Sequence, residues 1–65
     1  MIENLIGSRW KEKNHNFIYE VFKIYGEGKN GDVGVGVYLI GKDGERIVKS
    51  FRNLKDLMEE HDRLI

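Results

Sequence analysis

Hydrophobic and polar positions alternate along most of this chain, and where the alternation stops the period changes. Across residues 8–13, Arg9, Lys11 and Lys13 point one way and Trp10 the other, which predicts a short strand with its indole turned inward. Asn14-His15-Asn16 is a polar turn that folds this strand back onto residues 17–25, read F-I-Y-E-V-F-K-I-Y. That ribbon, dense in aromatic and β-branched side chains, is the predicted central strand. Phe17, Tyr19 and Val21 share one face, then Phe22 and Ile24 load the other, so a bulge or bend is expected just past Val21. Residues 26–32 hold three glycines and an Asn-Gly pair and predict a mobile loop or wide hairpin.

Residues 33–40 alternate again, with Val33, Val35, Val37 and Leu39 on one face and Gly34, Gly36, Tyr38 and Ile40 on the other. A glycine face inside a strand has little to offer unless a large group lies against the backbone, so a ring from Trp10 or Tyr25 is expected over it. Gly41-Lys42-Asp43-Gly44 is a hairpin signal, with Asp43-Gly44 able to take positive φ, and residues 45–51 form the return strand. At the end the period becomes helical. Asn53 is the predicted N-cap and Asp56 the N3 acid, and Leu54, Leu57, Met58, His61, Leu64 and Ile65 make one apolar stripe. Lys55 with Glu59 and Glu59 with Arg63 are i,i+4 pairs on its other side. Ile2, Leu5 and Ile6 predict one helical turn near the start, stopped by Gly7.

These elements predict a mainly β fold with a C-terminal α-helix (α+β), a single domain over residues 1–65. Four antiparallel strands plus a helix are most economically arranged as a small half-open barrel of SH3-like type, because closure removes exposed sheet edges. At 65 residues only about 60% of the unfolded surface can be buried, so the core is small.

Composition narrows the function classes. With no cysteine and two histidines, neither a disulfide nor a structural zinc site is expected, and no cofactor. The first residues lack the cationic flank and long apolar run of a signal peptide, and nothing later has the length of a membrane span, so a soluble, cytoplasmic protein is expected. Eleven basic and eleven acidic side chains cancel, which removes the overall charge footprint of a nucleic-acid binder. The charges are nevertheless segregated: residues 42–55 carry five bases and two acids, whereas residues 56–62 carry four acids and no base.

Gly7-Ser8-Arg9-Trp10-Lys11, Tyr19-Glu20-Val21 with Ile24, Lys42-Asp43-Gly44-Glu45 and Phe51 ahead of the helix resemble the small SH3-like proteins of bacteriophages and mobile elements. That resemblance covers most of the chain and implies an accessory protein, some relatives of which act by binding a host enzyme. Tyr19-Glu20-Val21 with Asn53-Leu54-Lys55-Asp56-Leu57 is similar to chromodomain and Tudor-type readers, whose methyl-lysine cage has no counterpart here after Leu39.

Trp10 reads as the main packing residue rather than a stacking platform, and Tyr19, Tyr25 and Tyr38 as half-buried strand residues. Gly26-x-Gly28 and Gly34-x-Gly36 lack the strand, loop and helix of a phosphate cradle. No nucleophile, base and acid stand in a recognisable context, so no catalysis is expected. The preferred function is a non-enzymatic module that binds, and inhibits or adapts, a larger cytosolic host protein. Its routes are the loop at 26–32, an exposed edge at 33–37, or the acidic helix face. Candidate partner-binding residues are Arg9, Lys11, Tyr25, Lys29, Tyr38, Arg46, Lys49, Arg52, Glu59 and Glu60. The alternatives are nucleic-acid binding by a basic strand face and a self-associating, dimeric subunit. No membrane partner is expected.

Overall fold

The computed structural model describes residues 4–26 and 33–65. Five strands and one helix follow one another as β1 (Arg9–Glu12), β2 (Ile18–Tyr25), β3 (Gly34–Ile40), β4 (Arg46–Asn53), α1 (Leu54–Glu60) and β5 (His61–Arg63). They form one antiparallel sheet in the order β4-β3-β2-β1-β5. The fold is therefore mainly β with one helix near the C-terminal end, but it has five strands instead of the expected four. The sheet is open, with β4 and β5 as its edges. An edge at residues 33–37 is also overturned, since β3 is hydrogen-bonded on both sides, to β2 and to β4.

One sheet face carries the core. Trp10 lies opposite Tyr19 and Val21 opposite Val37, with Val35 beside them; Leu57 of α1 and Leu5 complete the buried cluster. Trp10 is 5% exposed, as its packing role requires. Its indole Nε1 donates to Ser8 Oγ at 2.8 Å, and the Ser8 hydroxyl donates to the Leu5 carbonyl. The polar atom of the largest core side chain is thus satisfied inside the protein.

The ends of the chain depart most from expectation. Of the N-terminal turn, Ile2 lies outside the described residues; Leu5 is buried and Ile6 exposed. Asn4 and Gly7 both have positive φ, 56° and 92°, which a helical turn does not admit. The segment is instead tied to β2, with the Gly7 N–H donating to the Val21 carbonyl at 2.8 Å and the Val21 N–H to the Ser8 carbonyl at 3.0 Å.

The C-terminal helix begins as expected, with Asn53 Oδ1 accepting from the Lys55 N–H at 2.9 Å. It ends at Glu60, because His61 turns extended and β5 pairs with β1, Trp10 opposite Arg63 and Glu12 opposite His61. Without β5 the outer backbone groups of β1 would lack partners, and ladder pairing outweighs continuing a short helix. The apolar stripe is broken accordingly. Leu57 and His61 are buried and Leu54 packs against the core, whereas Met58, Leu64 and Ile65 are exposed. Neither i,i+4 pair closes: among the described residues the ion pairs are Arg9–Glu20, Arg46–Glu20 and Glu12–His15.

Candidate functional site

The face of the sheet turned away from the core holds an aromatic and cationic layer, and a β-bulge creates it. β2 and β3 pair regularly from Ile18–Ile40 to Val21–Val37, then resume at Lys23–Gly36, leaving Phe22 as the extra residue. The bulge stands where the broken period placed it, but its effect on the faces differs from expectation. Ile24 returns to the core face opposite Val35, while Phe22 and Tyr25 share the outer face. A second irregularity leaves Ile47 extra, between the pairs Leu39–Val48 and Ile40–Arg46.

The rings settle over the glycine face. A Cβ on Gly36 would stand 2.7 Å from Phe22 Cζ and 3.2 Å from Tyr25 Cε2, and one on Gly34 would overlap Phe51. Tyr25 is thus one of the covering rings; Trp10 is on the opposite face, and Phe22 and Phe51 take the place it was expected to fill. Phe22 packs on Tyr38 with centroids 4.5 Å apart and Tyr25 on Phe51 at 4.9 Å. Lys23 Nζ lies 4.9 Å from the Tyr25 centroid, the Arg46 guanidinium 5.4 Å from that of Tyr38, and Lys49 Nζ 5.6 Å from that of Phe22. These separations place each cation against a ring face.

Glu20 lies at the middle of this face, 8% exposed. Its Oε2 accepts from Arg9 Nε at 3.2 Å and its Oε1 from Arg46 Nε at 3.0 Å. Burial pushes the carboxyl pKa up, but the hydrogen bonds and charges of Arg46 and Arg9 outweigh it and hold it below its ordinary value of 4.5. By strand register the outer face carries Arg9, Lys11, Lys23, Arg46 and Lys49 against Glu20 and Asp62.

The structure divides the predicted residues between two places. Arg9, Lys11, Tyr25, Tyr38, Arg46 and Lys49 share the outer face, with Lys11 and Tyr25 at opposite ends of it. Arg52, expected beside Arg46 and Lys49, is on the core side, opposite Val35 with its guanidinium 4.8 Å from the Tyr19 centroid. Residues 46, 49 and 52 cannot share a face of a strand whose side chains alternate. Arg52 instead lines a shallow groove with Glu12, Lys13, His15, Glu59 and Glu60, at the end of α1. Lys29 and the loop at 27–32 lie outside the described residues.

Glu20, Lys23, Phe22 and Phe51 were not among the candidates. The bulge was legible around Phe22, and the two glycines opposite it called for rings; which rings answered depended on pairing register. Nothing in the linear pattern joins Glu20 to Arg46, which come together only when β2 and β4 flank β3.

No helix among the described residues is long and apolar enough to cross a membrane, and no group of three or more metal-ligating side chains occurs among them. No protein-family model, curated protein or solved structure matches the chain.

Proposed function

We propose that this chain is a small non-enzymatic binding module whose outer sheet face engages single-stranded nucleic acid. The observation that carries this reading is a layer of four rings, with Phe22, Tyr25 and Phe51 over two strand glycines and Tyr38 packed on Phe22, and with Lys23, Arg46 and Lys49 against them. Aromatic faces stack on unpaired bases of any sequence, and the surrounding cations neutralise phosphates. A duplex hides its base faces, so a sheet face offering rings suits a single strand. The zero net charge of the chain does not oppose this, because the outer face holds five bases, Arg9, Lys11, Lys23, Arg46 and Lys49, against two acids, Glu20 and Asp62, while Asp56, Glu59 and Glu60 sit on α1.

The open five-stranded sheet, bent by its bulges and with α1 bridging its two edge strands, supports reading the fold as a half-open SH3-like barrel. An accessory protein of the phage type that the sequence resembles is compatible with either partner class. The structure weakens the case for a host-protein partner by burying the edge at 33–37. One observation still favours that second reading: Arg52, Lys13, Glu59 and Glu60 give the groove at the end of α1 charges of both signs, as protein interfaces use for register. Self-association through β4 is opposed by Arg46, Lys49 and Arg52, like charges that would face one another along a shared edge.

The test is fluorescence anisotropy of a labelled oligothymidylate titrated with protein over a range of salt. Three to five phosphate contacts give a slope of log K against log salt of roughly −2 to −3.5. Phe51 is 63% exposed, so Phe51→Ala removes a stacking ring with little loss of stability and weakens binding by about 1–3 kcal/mol. Absence of any anisotropy change at low salt removes the nucleic-acid reading. A stoichiometric complex with one host protein, lost on reversing the charges of Glu59 and Glu60, establishes the second.

A further inference from the structure

The same face contains an arrangement that charge neutralisation alone does not explain. One buried carboxylate, Glu20, is shared by two arginines from different strands, Arg9 of β1 and Arg46 of β4. A single negative charge compensates only one of them. Each guanidinium has five N–H donors, and each uses its Nε–H on Glu20. Among the described residues the terminal NH2 groups of both make no hydrogen bond. The Arg9 and Arg46 side chains are 38% and 62% exposed, against 11% for Glu20. Arg46 is fixed a second time by Tyr38, whose ring lies under its guanidinium.

We propose that Arg9, Glu20 and Arg46 form a phosphate seat, in which the carboxylate positions two guanidiniums so that their free outer N–H groups clamp one phosphate. The identification of that phosphate as part of a nucleic-acid strand rests on the reading above; the clamp itself suits any phosphate group. Guanidinium and phosphate geometries match in paired hydrogen bonds, and donors already held in place lose little side-chain freedom on binding. Glu20 is in this scheme a positioning residue, and Arg46 connects the phosphate site to the stacking floor through Tyr38.

The decisive property is the sign of one substitution. Glu20→Gln removes a negative charge from a basic face, so simple electrostatics makes it bind a polyanion more tightly. If Glu20 positions the clamp, E20Q binds oligothymidylate more weakly, by roughly threefold to tenfold, the scale of one ordinary hydrogen bond's net contribution. Arg46→Lys retains the charge but not the fork, alters a largely exposed side chain, and gives a loss of the same order; it decides the question if E20Q does not fold. Nitrogen-15 NMR of the arginine Nε–Hε groups during titration with inorganic phosphate is the second arm, and Arg9 and Arg46 shift together with one saturation curve. Tighter binding by E20Q, or an R46K variant equal to wild type, overturns the seat and leaves the nucleic-acid reading standing. Coupled arginine shifts with phosphate in a protein that ignores the oligonucleotide uphold the seat and remove that reading. No shift in either arginine overturns the seat.

Discussion

Gly36→Ala tests whether the ring layer is built on a bare backbone. The new Cβ would sit 2.7 and 3.0 Å from two Phe22 ring carbons and 3.2 Å from Tyr25, where ordinary carbon contacts are about 3.5–4.0 Å. Phe22 must retreat by roughly 1 Å, but Tyr38 packs against it and Lys49 lies over it. Such overpacking costs about 1–3 kcal/mol, offset by about 0.5–1 kcal/mol from replacing a strand glycine. The expected net loss is therefore about 1 kcal/mol, in a domain whose whole stability is on the order of 3–10 kcal/mol. A lowering of Tm by about 4–8 °C follows. Thermal and urea unfolding followed by circular dichroism measures it, and a double-mutant cycle with Phe22→Leu assigns the cause. In the F22L background the alanine becomes neutral or stabilising. Gly44→Ala is the control: with φ at +82° and no atom within 4 Å of the new Cβ, it costs about 1–2 kcal/mol through the backbone alone, whatever stands at position 22. If G36A loses as much in the F22L background as in the wild type, or stabilises the wild type, the rings do not depend on that close approach.

Two further outcomes follow from the core and from Glu20. Leu57 is the one fully buried side chain that α1 contributes, so Leu57→Ala should cost about 2–5 kcal/mol and leave much of the population unfolded at 37 °C; a loss under about 1 kcal/mol in urea would show that the helix does not close the core. The depressed pKa of Glu20 means that below about pH 4.5 the unfolded chain takes up a proton there which the folded chain refuses. The stability contributed by the two arginine bonds is accordingly complete above that pH and lost as pH falls through the folded-state value. The acid limb of a stability profile should flatten in E20Q, and an unchanged limb would show that other carboxylates govern it.

Much of the local structure was legible because it depends on local chemistry. Asn53 caps α1 because a side-chain oxygen two residues ahead of a free N–H needs no tertiary help. The bulge past Val21 was visible as a broken period, since an extra residue must shift every later side chain to the other face. The same reasoning failed at the chain ends. The stripe ending in His61, Leu64 and Ile65 fits a longer helix as well as it fits a helix followed by a strand, and only the free edge of β1 chose between them. More of the candidate site than not followed from recognising basic and aromatic strand residues. Arg46, Lys49 and Arg52 are near one another in sequence, but alternation alone would pair Arg46 with Arg52 and set Lys49 apart; the extra residue at Ile47 moves Arg46 to the face of Lys49 and leaves Arg52 on the other.

Taken alone, the sequence determined that four ribbons would pair, roughly where they would turn, that the indole would be interior, and that glycines at 34 and 36 would need rings over them. Those are consequences of period and side-chain volume, which act over a few neighbouring residues. Only the tertiary structure decided that the sheet stays open with a fifth strand, that Phe22 and Phe51 cover the glycines, and that Glu20 joins Arg9 to Arg46 across the sheet. Pairing register is set by the sum of many cross-strand contacts, so a carboxylate and a guanidinium 26 positions apart become neighbours without any local pattern recording it.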